Sequence, residues 1–210
     1  MIETYSDLSD SQLDILSEIG NIGAGNAATS LSVLINESVK ITVPEVKILD
    51  YDGVINAVGD PEELGIASLI YYIGDIRGVV LFLLGYEDAN SIADILTYGM
   101  DDGTTEEGNN LSNMKLSTIR EIGNILGSSY LGSISALTGL EVDISIPYVA
   151  VDMVGSIIGA PMFEFSIDNN KIMLIEESFV TDTTRLKSHV ILFADIPSLN
   201  KMLDRLGLNE

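Results

Sequence analysis

The chain has 210 residues, 46% of them hydrophobic, with 32 acidic against 10 basic side chains and a formal charge of −22. That charge repels nucleic acid and anionic membrane, and it suits either a partner with a basic or metal-bearing docking face or simple solubility in a saline cytosol. With no Cys and a single His, disulfides, thiol nucleophiles and thiolate metal sites are excluded, and a transition-metal site is disfavoured.

The acidic opening MIETYSDLSDSQLD lacks a basic n-region and an apolar core, so no signal peptide is expected. Runs such as GVVLFLLG are too short to span a bilayer, and no membrane insertion is expected. The expected location is cytoplasmic. Residues 1–9 read as a loose lead. Ser9 or Asp10 predicts an N-cap, followed by a helix that continues to about Asn36. On it Ile15, Leu16, Ile19, Ile22 and Gly23 form an apolar arc, and Asp14, Glu18 and Asn21 fall opposite. Gly20, Gly23 and Gly25 each cost about 1 kcal/mol against Ala inside a helix, so a close backbone approach is implied.

Next, VKITVPEVKILD reads as β structure broken at Pro44, and residues 51–65 as a turn-rich or short helical connection. IASLIYYIGDIRGVVLFLLG predicts two strands joined by a tight turn at Gly74-Asp75. Residues 87–99 have helical periodicity, and the acidic, Gly-rich residues 100–110 read as a linker. The order then restarts. An offset of 103 maps Leu13 to Leu116, Glu18 to Glu121, Gly20 to Gly123, Asn21 to Asn124, Ile41 to Ile144 and Pro44 to Pro147.

Further on, VDMVGSIIGAP predicts a short helix over residues 151–161. MFEFSID and KIMLIEESFV predict a hairpin turning at Asn169-Asn170, and LKSHVILFADI a strand. PSLNKMLDRLG parallels NSIADILTYG at an offset of 107. The chain therefore reads as one domain of two similar halves, about 1–100 and 110–210. The fold class is α+β in two layers. One continuous antiparallel sheet carries the paired long helices on one face, with pseudo-two-fold symmetry. His189, in the strand-like SHVILFADI, is expected to be structural. GNIGAGNAA is no phosphate loop, because it follows a helical segment and no Lys follows it.

The repeated pattern is a polar residue, three positions, then Glu-Ile-Gly-Asn. At about 100° per residue, positions i, i+4 and i+7 lie within roughly 60° of one another on a helix. A carboxylate and a carboxamide thus share a face, twice. This outward pair recurs while its neighbours Ser17 and Arg120 differ, which packing does not explain. A carboxamide holds water through its oxygen and donates through its nitrogen, the water-positioning role that Gln plays in some GTPases. The carboxylate suits a general base or an anchor for a partner's cation. A site this sparse needs the electrophile to arrive on a partner, and an aspartyl-phosphate on a Mg²⁺-bearing protein meets that need.

Asp14–Asn21 and Ser117–Asn124, read as D/S-x-x-x-E-x-x-N, resemble the signature of the CheC/CheX/FliY family, phosphatases of the phosphorylated chemotaxis regulator CheY. Two copies in a chain of this length, without an added flagellar switch domain, resemble the two-site CheC branch. The resemblance implies that Glu18 and Glu121 bind a Lys of the regulator, and that Asn21 and Asn124 position water against its aspartyl-phosphate. It implies Mg²⁺ on CheY and no cofactor in this chain. Asp14 and Ser117 would play supporting roles. Gly20, Gly23, Gly123 and Gly127 would either admit the regulator's surface or serve internal helix packing. The family also binds the receptor deamidase CheD through a short helix in the second half. Here that places Val151, Asp152, Val154, Ile157 and Ile158 as candidates, with burial in the core as the competing reading. The expected function is an aspartyl-phosphate hydrolase. The alternatives are a weakly catalytic adaptor for CheD and, disfavoured by the lack of an assembly domain, a component of a flagellar or archaellar switch. A duplicated chain can complete its own sheet, so a monomer is expected.

Overall fold

In the computed structural model, which describes residues 1–41, 45–105, 111–164, 171–181 and 185–208, the first half runs α1 (Asp10–Ile35), β1 (Lys40–Ile41), β2 (Glu45–Asp50), α2 (Tyr51–Val58), β3 (Leu64–Gly74), β4 (Gly78–Gly85) and α3 (Tyr86–Thr97). The second half repeats that order as α4 (Asn113–Thr138), β5 (Val142–Ile144), β6 (Tyr148–Met153), α5 (Val154–Glu164), β7 (Lys171–Val180), β8 (Arg185–Ala194) and α6 (Ile196–Arg205).

The two long helices agree at both ends. Each has 26 residues. Ser9 and Ser112 are the N-caps, accepting from the Gln12 and Lys115 amides. Gln12 closes a capping box by accepting from the Ser9 amide at 2.9 Å. Asn36 and Gly139 end the helices in the left-handed region, at φ 57° and 68°. All these pairs stand at the offset found in the motif.

Among the described residues, eight strands form one antiparallel sheet in the order β1-β7-β8-β4-β3-β5, with β2 on β7 and β6 on β3. The hairpins β3–β4 and β7–β8 meet at the centre through β4 and β8, from Gly78↔Ala194 to Leu84↔Ser188. The outer strands are exchanged. β2 from the first half pairs with β7 of the second, and β6 from the second pairs with β3 of the first. Each half thus carries the edge of the other's hairpin.

The helices α1 and α4 pack on one face of this sheet. A Cβ on Gly123 would sit 2.0 Å from the Ser68 Oγ, and one on Gly127 would sit 2.2 Å from the Ile70 Cδ1. The two helices also approach each other closely. A Cβ on Gly23 would lie 2.9 Å from the Tyr130 Cδ1 and 3.1 Å from its Cα. The other face is covered as well. Gly65 faces away from Ser68 and Ile70 on β3, and its missing Cβ would meet Val154 of α5. The Tyr51 hydroxyl of α2 donates to the Gly155 carbonyl at 3.1 Å. Cover on both sides explains why every residue from Gly78 to Leu84 is buried.

Several expectations change. Residues 1–9 are docked, not loose. Tyr5 is 1% exposed, and its hydroxyl donates to the Ala194 carbonyl at 2.8 Å. Ile2 exchanges backbone bonds with the Asn200 side chain. Ile22 leaves the apolar arc and is 36% exposed, because the buried stripe runs through Ile19, Gly20, Gly23 and Ala24 instead. The helix expected from Val151 begins at Val154. Val151 and Asp152 complete β6, opposite Ile66 and Gly65. Met162, Phe163 and Glu164 end α5 rather than open a hairpin, and β7 turns into β8. The predicted turn at Asn169-Asn170 and the break at Pro44 lie outside the described residues. α5 also has a counterpart in α2, which the two sequences do not suggest.

His189 is 5% exposed on β8, opposite Glu176 of β7, and its Nδ1 has no hydrogen-bond partner among the described residues. Burial pushes its pKa below 6.5. Glu176 opposes that shift, and Lys187 and Lys47 add to it. The unfolded chain therefore binds more protons just below the ordinary His value.

Two predictions follow from this packing. In urea titrations Gly123→Ala should lose about 1–3 kcal/mol through overpacking against Ser68. Gly25→Ala should gain about 0.5–1 kcal/mol, since nothing lies within 4 Å of the added methyl. Equal effects at the two positions would contradict the packing described. For His189, stability should fall as the pH drops from about 7.5 to about 5.5, and His189→Gln should lessen that fall. Parallel pH profiles for the two proteins would show that the imidazole does not titrate as stated.

Candidate functional site

The Glu-Ile-Gly-Asn step splits between inside and outside. In α1, Ile19 and Gly20 are buried, Glu18 is exposed and Asn21 is half-buried. In α4, Ile122 and Gly123 are buried, Glu121 is exposed and Asn124 is half-buried. Asp14 and Ser117 are exposed on the same outward faces. The apolar pair anchors each turn to the core, so the acid and the amide are held outward on a rigid support.

At the second copy the support has a wall. Arg120, Glu121 and Asn124 line a cleft of about 290 Å³ with Ile144, the last residue of β5, and with Ser145, Ile146 and Pro147, which connect β5 to β6. That connection is tied to β3. The Ser145 amide donates to the Tyr71 carbonyl at 2.8 Å, and the Tyr71 amide donates to the Ser145 Oγ at 3.1 Å. Pro147 is buried, while Ile146 stands 85% exposed at the rim. Asn124 thus sits in the angle between a helix and a fixed loop, with one side open to a partner. On its other side Glu121, with Ser117, lines a groove of about 520 Å³ that extends to Leu34 at the end of α1. At the first copy the offset of 103 maps Ser145–Pro147 to residues 42–44, which lie outside the described residues.

The two copies are separate. Gly23 lies against Tyr130, and Leu34 lies beside Ser117, so α1 and α4 run antiparallel. Asn21 precedes Gly23 by two residues and Asn124 precedes Tyr130 by six. In opposite directions these add to a separation of roughly 12 Å along the axes, at 1.5 Å per residue.

The remaining candidates fall elsewhere. Gly20, Gly23, Gly123 and Gly127 are all buried. The contacts of Gly23, Gly123 and Gly127 are with Tyr130, Ser68 and Ile70 of this chain, so internal packing is the role these contacts support. Val154, Ile157 and Ile158 are 6%, 4% and 0% exposed and belong to the core. Val151 is half-buried and Asp152 exposed. Exposed apolar side chains flank α5, Met153 just before it with Leu64 opposite on β3, and Phe163 in its last turn; the sequence reading did not select them. It also missed the wall at Ile144–Pro147, although the repeat of Ile41 and Pro44 as Ile144 and Pro147 was a signal for it.

Chemically, each copy offers an acceptor carboxylate and an amide that both donates and accepts. Among the described residues there is no group of three or more His, Asp or Glu side chains placed to hold a metal ion. Nor does any described helix have the length and apolarity needed to cross a membrane.

The CheC-like family matches this chain at residues 12–48 and again at 114–150, two segments that hold most of each long helix and strands of the adjoining sheet. The chain is 30% identical over 206 residues to the CheY-P phosphatase CheC of Bacillus subtilis, covering 97% of each protein. Its fold is similar to that of Thermotoga maritima FliY, with a TM-score of 0.75, 24% identity, and coverage of 97% of this chain and 100% of that one. It is also similar to the solved CheX-CheY-BeF3-Mg complex from Borrelia burgdorferi, at a TM-score of 0.50 and 16% identity over 82% of this chain and 96% of that one. With the motif helix present twice and nearly the whole length shared with a CheC, this chain belongs to the CheC-like family.

Proposed function

We propose that this protein hydrolyses the aspartyl-phosphate of a CheY-type response regulator. The observation that carries the reading is the outward Glu and half-buried Asn, presented identically on two equal helices in a chain of this family. In the proposed reaction a water attacks phosphorus as the bond to the aspartyl oxygen breaks. The products are an aspartate carboxylate on the regulator and inorganic phosphate, and the water's proton leaves with the phosphate or to solvent. Asn21 or Asn124 accepts a hydrogen bond from that water through its Oδ1 and fixes it in line. Glu18 or Glu121 pairs with a regulator lysine and sets the docked orientation. The regulator supplies the Mg²⁺ that neutralises the phosphoryl charge. This chain then needs no cofactor of its own and works as a monomer.

A second reading, an adaptor for the deamidase CheD, is favoured by one observation. Met153 and Phe163, 50% and 90% exposed, stand at the two ends of α5, with Leu64, 52% exposed, opposite Met153. The two readings are compatible, since these residues differ from those that line the Asn124 cleft.

In an assay of phospho-CheY decay, Asn21→Ala with Asn124→Ala should lower the accelerated rate by about 10²-fold or more, as loss of a transition-state contact does. Full activity in the double variant would refute the assigned chemistry. Glu18→Ala with Glu121→Ala should instead raise KM by about tenfold and change kcat less. A pure loss of kcat would contradict a docking role. If CheD binds at α5, Phe163→Ser should weaken its capture and leave basal decay intact. Unchanged binding would remove the adaptor surface.

A further inference from the structure

Beside the pair the two copies differ at Asp14 and Ser117, both exposed, and at Ser17 and Arg120, the first half-buried and the second exposed. Arg120 precedes Glu121 in α4, and the offset between the helices puts Ser17 at the same place in α1. Arg120 is exposed and lines the same cleft as Glu121 and Asn124. It stands four residues before Asn124, so guanidinium and carboxamide share a face of the helix. The residues three and four positions away are Leu116, Ser117, Gly123 and Asn124, none of them acidic. Lys47, Arg77, Lys115 and Lys201 each pair with a carboxylate, on Glu176, Asp195, Asp94 and Asp75. Arg120 makes no ion pair with any described residue, although the chain carries 32 acidic side chains.

Phosphoryl oxygens that the regulator's Mg²⁺ does not hold keep local negative charge, and they approach a chain of charge −22 that repels them. A local cation at the contact offsets that repulsion. Arginine does so with direction, because its planar fork matches two phosphoryl oxygens. Ser17 offers a hydroxyl and no charge.

We propose that Arg120 makes the second copy the tighter binding site for the phosphorylated regulator, its guanidinium gripping phosphoryl oxygens beside Asn124 while the first copy lacks this grip. The inference rests on the phosphatase reading for its ligand, but its readout is affinity. Arg120 acts on ground-state binding, so its removal should appear in KM.

The test isolates each copy. In the Asn21→Ala protein, where only the second copy is intact, Arg120→Ser should raise KM for phospho-CheY about tenfold, equivalent to about 1.4 kcal/mol, with kcat changed less than about twofold. Arg120→Lys should fall between, since the charge stays and the fork is lost. The salt dependence of KM should weaken in Arg120→Ser. In the Asn124→Ala protein, Ser17→Arg should lower KM at the first copy. An unchanged KM in Arg120→Ser, or no fall on Ser17→Arg, would overturn the inference. Binding of beryllofluoride-activated CheY, measured on the same proteins, separates the two claims. Weaker binding in Arg120→Ser by a protein that never accelerates decay would remove the hydrolase reading and support this one.

Discussion

The close approach of α1 and α4 to each other and to the sheet is the constraint on which the other features depend. It is made possible by missing side chains. Gly123 lies over Ser68, Gly127 over Ile70, and Gly23 against Tyr130, each at a distance that leaves no ordinary room for a Cβ. Helix interiors that carry this much glycine lose propensity, and the burial gained by close packing offsets the loss. The same approach pulls the Ile-Gly step of each motif inward and leaves the Glu and the Asn outward. Core packing and presentation of the polar pair are therefore one geometric event.

The sheet makes the two halves interdependent. β5 and β6 both pair with β3, so the loop between them, which walls the second cleft, is held by a strand of the other half. Asn124 comes from the second half and its wall is fixed by the first. β1 and β2 lie on β7 in the same manner. An isolated second half would lose the β3 strand that holds β5 and β6, and with it the support of the wall against which Asn124 sits. The cleft at Asn124 is a property of the whole chain, although its motif is local.

Much of this was legible in the residues, for physical reasons that can be named. Ser9 is a strong N-cap, and a repeat in which Glu and Asn recur marks an outward face before any coordinates are known. The two strands around Gly74-Asp75 were readable from continuous apolar runs. What failed was anything decided by distant partners. Ile22 has the right character for the core but the wrong angle, once Gly23 and Ala24 take the inner stripe. Tyr5 looks like part of an acidic tail until its hydroxyl donates a hydrogen bond to the Ala194 carbonyl. Pro161 reads as the end of a helix, yet α5 continues past it to Glu164. The choice of β8 as partner for β7, and the wall opposite Asn124, depend on sheet order, which local pattern does not encode.

The central claim is that both carboxamides face the phosphoryl group of a docked regulator. The most direct measurement is NMR of the Asn21 and Asn124 side-chain amides, assigned by substitution, as beryllofluoride-activated CheY is added. The account predicts that both Nδ2 pairs shift with activated regulator, and that neither shifts with the unactivated form at the same concentration. Perturbations confined to other surfaces, with both amides unmoved in the saturated complex, would contradict it.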